Sequence, residues 1–283
     1  MALKFNMILE DEGIDPADVR LLRHQTQEAN GSTPYSLWRD APDAFESYQS
    51  TQSPERRSYF RGRYWASFVA PPDGRTLFVG LYAVKLLESV PVGKIDPFHG
   101  RPIGDGKNWT HYDQYECVRC KELSEYVGRL SVHWGESKSA FRSWFQIAKA
   151  QNKTILELAQ SFREEEFPGF TKLIRPLSEI ETMPPAWREM LRNTKGVYLL
   201  ACPKTREHYV GCAYGQDGFI GRWRNYVATN HGGNVGLKAR DPSDWIVSVL
   251  EVTGSSASEA DVLALEEVWK LKLHSRGIGL NRN

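Results

Sequence analysis

The stretch KGVYLLACPKTREHYVGCAYG, Lys195 to Gly215, constrains this chain more tightly than any other. Gly196-Val197-Tyr198 opens one run of strand-forming residues and Tyr209-Val210-Gly211 closes on the next, with a Pro-containing turn between them. An even-numbered loop centred on Lys204-Thr205 sets Leu200 opposite Tyr209, so Tyr198 and Tyr209 fall on one face as diagonal neighbours. Two phenols therefore share a surface.

Around the hairpin the periodicity changes. GFIGRWRNYVATN has helical spacing, and within it Arg222 and Tyr226 lie four apart on one face while Arg224 points elsewhere. DWIVSVLEV reads as a strand. SASEADVLALEEVWKLKLHSRG reads as a helix with a Ser cap and Gly277 near its end, with Val262, Leu265 and Trp269 as an apolar stripe and Glu266 beside it. The order ββαβα makes a small α+β domain over residues 186–283. Upstream, RPLSEIETMPPAWREMLRNT, punctuated by Pro176, Pro184 and Pro185, reads as a connecting segment.

Residues 1–180 have a different texture. DPADVRLLRHQ, with an Asp cap and Pro at the first helical position, predicts a helix, and TPYSLWRDAPDAFESYQS predicts helices broken at Pro42. From RYWASFVAPPDGRTLFVGLYAVKLLESVPV onward, β-rich runs alternate with turn chemistry, PPDG being a hairpin turn; GRLSVHWG, SWFQIA and KTILEL are further strands. DPFHGRPIGDGKNWTHYDQYE between them reads as a long loop. Short strands at this spacing predict a small barrel or curled sheet preceded by short helices.

With 283 residues, 41% of them hydrophobic, the chain has material for two cores, and a formal charge of +1 restricts any nucleic-acid surface to a local patch. The apolar runs are too short for a bilayer and the N-terminus turns acidic early, so a cytoplasmic protein without a membrane partner is expected. Cys117, Cys120, Cys202 and Cys212 suit a reducing compartment. CVRC lacks a second regularly spaced ligand pair, with only His111 and His133 as further candidates, so no zinc is expected.

Taken together, Gly196-Val197-Tyr198, then Tyr209-Val210-Gly211 after ten intervening residues, Arg222 with Tyr226, a helical Glu266 and Asn281 in GLN resemble the GIY-YIG nuclease family in order and spacing. The resemblance covers residues 190–283. It implies metal-dependent hydrolysis of a phosphodiester with Mg²⁺ or Mn²⁺. Tyr198 would be the general base or orient the attacking water, Tyr209 would support it, Arg222 would hold the scissile phosphate, Glu266 would bind the ion and Asn281 would brace the site. Tyr226 stands where the family often has Tyr or His. The sequence departs in having Val at the middle of both tripeptides and in Glu267 following Glu266; the relation of Glu266 to Trp269 favours Glu266 as ligand. His231, in HGGNVGL, is either a phosphate contact or a turn residue.

These residue types suit the chemistry on their own account. A phosphodiester under attack gathers charge on its nonbridging oxygens, and an arginine fork meets it with donors that stay charged. One carboxylate holding a hard ion leaves room for water and phosphate. Arginine and metal beside a phenol are expected to bring its pKa down from about 10.

RYWASFVAPPDGRTLFVGLYAVK looks like the strand-turn-strand core of a PUA-like or EVE-like domain, a curled sheet used by readers of modified bases. Reading a modification means flipping the base from double-stranded DNA and stacking it. Trp65, Trp109 and Tyr112 are the candidates for stacking, and Arg56, Arg57, Arg61 and Arg63 in PERRSYFRGRYW are candidates for phosphates; Trp134, in an alternating strand, reads as core. The expected activity is that of a modification-dependent restriction endonuclease reading a modified cytosine. The alternatives are a structure-specific repair nuclease and a noncatalytic nucleic-acid-binding module. One active site cuts one strand, so transient homodimerisation on DNA is expected.

Overall fold

In the computed structural model, residues 2–27, 32–96, 98, 100–103, 110–136, 143–229, 232, 233, 237, 245–254 and 256–282 are described. After helix α1 (Phe5–Asp11), Asp15 accepts from the Ala17 N–H at 2.8 Å and Pro16 follows the cap, but the helix expected there ends after one 3-10 turn, Pro16–Asp18. Val19–His24 is instead strand β1. Val19 and Leu21 are buried on one face, and Leu22 and His24 on the other, so the segment gains more from sheet pairing on both sides than from its helical start signal.

Helices α2 (Pro34–Asp40) and α3 (Pro42–Gln49) break before Pro42 as expected, and Thr33 and Ser36 exchange capping bonds at 3.1 Å. A two-residue strand β2 (Thr51–Gln52) follows. Strands β3 (Tyr64–Val69) and β4 (Leu77–Pro91) form the hairpin around PPDG, and β1 lies parallel to β3. The segment expected as a long loop contains strand β5 (His111–Arg119), which pairs along β4 from Pro91 to Tyr82. The expected strands β6 (Leu130–His133), β7 (Phe145–Ile147) and β8 (Thr154–Leu158) complete a curled sheet of order β2-β5-β4-β3-β1-β7, with β6 joining β4 to β8. Phe5, Phe68, Phe78 and Trp134 are among its buried rings.

The contacts divide the chain into two units, the first reaching Glu165 and the second running from Glu166 to Asn283. The division expected between 180 and 186 thus falls earlier. Strand β9 (Ile174–Pro176) pairs with the last strand of the second unit, and Leu177, Ile180 and Met183 enter its core with Trp187 and Leu191 of helix α4 (Pro185–Arg192). The Pro-punctuated segment is therefore core material, not a connector.

Strands β10 (Gly196–Ala201) and β11 (His208–Ala213), helix α5 (Gly218–Thr229), strand β12 (Ile246–Val252) and helix α6 (Glu259–Lys272) follow in the expected order, and the sheet reads β11-β10-β12-β9. Ser258 caps α6 in a capping box with Asp261. Alternation along β10 and β11 divides the residues between two layers. Tyr198, Tyr209, Phe219, Trp223 and Tyr226 pack in one, and Val197, Val210, Cys212, Val262, Leu265 and Trp269 in the other. The architecture is mixed α+β, and among the described residues no helix is long and apolar enough to cross a membrane.

Candidate active site

The hairpin has the register that its even turn demands: Leu200 pairs with Tyr209 and Tyr198 with Gly211. A Cβ on Gly211 would stand 2.5 Å from the Tyr198 Oη and 2.8 Å from the Tyr209 ring, so the absent side chain is what lets the Tyr198 phenol lie across β11. That phenol is fully buried. Its hydroxyl donates to the Tyr226 Oη at 2.9 Å and accepts from the Arg222 Nε at 3.3 Å. The Arg222 guanidinium also stands 5.3 Å over the Tyr226 ring, and the Tyr209 and Tyr226 rings meet edge to face at 6.3 Å. Helical spacing of four thus delivers Arg222 and Tyr226 to the phenol that the strand presents, and Tyr198, Tyr209, Arg222 and Tyr226 come together.

Arg222 differs from the arginines around it. Arg224 is held by Glu181 at 2.5 and 2.9 Å, Arg192 by Glu189 at 2.9 Å and Arg276 by Glu267 at 2.6 Å. Among the described residues Arg222 makes no ion pair, and only its Nε is bonded. A half-buried guanidinium anchored through Nε offers the rest of its fork to an anion.

The arginine by itself does not bring the phenol below its ordinary range. Burial holds the Tyr198 phenol well above its ordinary range; Tyr209 adds to the rise, and Arg222 opposes it without prevailing. Tyr226 is raised in the same way, by burial and then by Tyr198. Burial lowers Arg222, but Tyr198 and Tyr226 more than offset this and leave it above its usual value. Beside Arg222 alone Tyr198 is therefore a neutral phenol; the lowering expected from arginine and metal together is not produced by the arginine.

Glu266 lies in the other layer. Its carboxylate is buried, accepts from the Cys212 thiol at 3.0 Å and faces the Lys270 ammonium at 3.3 Å. Burial, then the bond to Glu266, pushes the Cys212 thiol up to about 12; Arg222 and Lys270 pull the other way, so the thiol lies within reach of charges from both layers. Glu267 is more exposed and pairs with Lys270 at 3.0 Å as well as Arg276, which keeps it below the usual carboxylate range. The Asn281 side chain accepts from the Val210 N–H at 3.0 Å and donates to its carbonyl at 2.8 Å, extending the sheet beyond edge strand β11. It braces the strand that carries Tyr209 and Gly211.

Glu266 was expected to bind a divalent ion, yet its two oxygens already face a thiol and an ammonium. Among the described residues no three His, Cys, Asp or Glu side chains are grouped to hold a metal. A lysine fully buried against the carboxylate competes directly with a hard cation, so the residues in this arrangement do not fit a resident ion. In the sequence Cys212 reads only as a thiol of a reducing compartment and Lys270 is passed over, although the alternation with Val210 and the spacing of four from Glu266 signal both.

In the first unit, Trp65 is fully buried against Phe60 and Tyr115, at 5.4 and 4.8 Å between ring centres, and Tyr112 is 1% exposed; neither presents a free face. Trp134 is core, as expected. Arg57 is bound to Asp113 at 2.5 and 2.7 Å, Arg56 lies over the Trp144 ring and Arg63 over Tyr64, while Arg61 is exposed. Cys117 and Cys120 pack against different clusters. Trp109 and His231 lie outside the described residues. Comparison of the chain with family models, curated proteins and solved structures gave no match.

Proposed function

We propose that the second unit binds and cleaves phosphodiesters of double-stranded DNA as a GIY-YIG-like endonuclease. The observation that carries this reading is Arg222: half-buried, fixed through Nε by Tyr198, stacked on Tyr226 and without a carboxylate partner among the described residues. Its free fork would take two nonbridging oxygens of the scissile phosphate and stabilise the charge that grows on them during attack. Tyr198, as a neutral phenol, fixes the direction of the fork, and Tyr226 completes that bond by accepting the phenol's proton end. Neither Mg²⁺ nor Mn²⁺ takes part in a step of this reading, because the Glu266 carboxylate is already engaged by Lys270 and Cys212.

Target choice in this reading belongs to the first unit, a curled sheet with the exposed Arg57, Arg61 and Arg63 at one segment, as a reader of modified cytosine. The test is one plasmid prepared with and without cytosine modification, incubated with Mg²⁺ or Mn²⁺. Cleavage of the modified form alone supports the restriction reading. Cleavage regardless of modification, but dependent on branches or distortions, favours a repair nuclease.

A second reading has its own support. The ion pair between Lys270 and Glu266 neutralises the carboxylate that catalysis would use, which suits a nucleic-acid-binding module without cleavage. Binding unaffected by divalent ions, with no cutting, would favour it.

A further inference from the structure

In the first unit, a basic cluster of the buried Lys153 and the half-buried Arg23 has no carboxylate counterpart among the described residues. Lys153 is 4% exposed, donates to the Trp134 carbonyl at 2.5 Å and to the Gln146 side chain, and stands 4.6 Å from the centre of the Trp134 indole. Arg23 pairs in register with Phe68, whose ring meets Trp134 at 5.6 Å. The charge of Arg23 reaches Lys153, which burial first and Arg23 second pull down to about 8.

Two donors in this cluster find no acceptor among the described residues. The Arg23 Nε and the Trp134 Nε1 are buried and without an acceptor among the described residues. Neither Arg23 nor Lys153 makes an ion pair among them. Like charges side by side in an apolar setting repel and lose hydration, and buried donors are ordinarily satisfied. Hydrophobic packing alone requires none of these groups. A group that accepts hydrogen bonds and carries negative charge would satisfy both donors and offset the two like charges.

We propose that Lys153, Arg23 and Trp134 form a binding site for a small oxyanion, a carboxylate or a phosphate. Guanidinium, ammonium and indole N–H are each donors suited to such a group, whose several lone pairs can accept more than one bond. Lys153 and Trp134 are too enclosed to meet a polymer backbone, so the ligand proposed is a small molecule. The site is separate from the phosphodiester chemistry assigned to Arg222.

The test uses the full chain in chloride buffer at constant ionic strength, titrated separately with inorganic phosphate and with acetate while thermal unfolding and calorimetric heat are followed. A saturable rise in Tm with at least one of them is expected; which one responds identifies the class. Trp134→Phe keeps an aromatic ring but loses the N–H together with the pyrrole part of the indole, and should weaken binding about fivefold; Arg23→Gln, which leaves the core rings in place, should weaken it tenfold or more. Arg222→Ala should keep the response, since that residue belongs to the other site. No saturable response in the wild type would overturn the proposal. So would a response lost in Arg222→Ala, or one unchanged in both Trp134→Phe and Arg23→Gln.

Discussion

The phenol oxygen of Tyr198 occupies the space that a side chain on Gly211 would need, with an added Cβ only 2.5 Å away. The glycine of the second tripeptide is thus tied to the tyrosine of the first by steric exclusion. Gly211→Ala should displace the phenol and cost about 1 to 3 kcal/mol, the usual range for overpacking. Gly215→Ala, where an added Cβ meets nothing within 4 Å, is the control and should leave the urea midpoint nearly unchanged.

Tyr198→Phe removes the hydroxyl that joins Arg222 to Tyr226 and keeps the ring. A stability loss of about 1 kcal/mol is expected for the lost bonds. Cleavage should fall by roughly a hundredfold, the lower end of the range for removing a group that positions reacting partners. Because Tyr198 is held neutral, the pH–rate profile of the wild type should show no rise assignable to this phenol between pH 7 and 9. Single-turnover rates across that range for both proteins provide the check.

How far the sequence could be read depended on how local each determinant was. The register of β10 with β11 and the shared face of Arg222 and Tyr226 follow from periods of two and 3.6, which need only the residues concerned. Strand β1 was hidden because its reward is a parallel pairing with β3 some forty-five residues away, while its Asp-Pro start signal is local and points to a helix. The prolines of 176–185 suggested a connector, yet Pro176 occupies the paired end of β9 and Pro185 the first turn of α4, both places where proline is tolerated. The phenol's protonation depended on burial by residues from several elements, which spacing does not disclose.

The pair of Glu266 with Lys270 makes a distinction between neighbouring acids. Glu266→Ala removes one of the two carboxylates at the buried Lys270 ammonium, which keeps Glu267 at 3.0 Å, and should cost about 1 to 3 kcal/mol, whereas Glu267→Gln, nearer the surface, should cost less than about 1 kcal/mol. Lys270→Met removes the competing charge and should tighten Mn²⁺ binding at Glu266. Calorimetric Mn²⁺ titrations and urea melts of the three variants measure both effects.

His24 supplies a pH dependence in the first unit. Burial lowers this imidazole to about 4, against about 6.5 in the unfolded chain, although Gln49 works to raise it. The unfolded state therefore takes up a proton first as pH falls, and the stability contributed by neutral His24 is present above about pH 6.5 and lost toward pH 4. Between pH 7 and pH 5 the loss is about 2 kcal/mol. Urea midpoints at those two pH values should draw together in His24→Gln.

The central claim is that Arg222 receives the scissile phosphate, and one measurement meets it most directly: cleavage of cytosine-modified plasmid by wild type and by Arg222→Ala, side by side, with Mg²⁺ and with Mn²⁺. The account predicts that the wild type cuts, and that Arg222→Ala, folded to within a few degrees of wild-type Tm, loses about a hundredfold or more in rate, with Arg222→Lys also poorly active because a point charge does not reproduce the fork. Wild-type rates in Arg222→Ala, or no cleavage by the wild type with either ion, would contradict it.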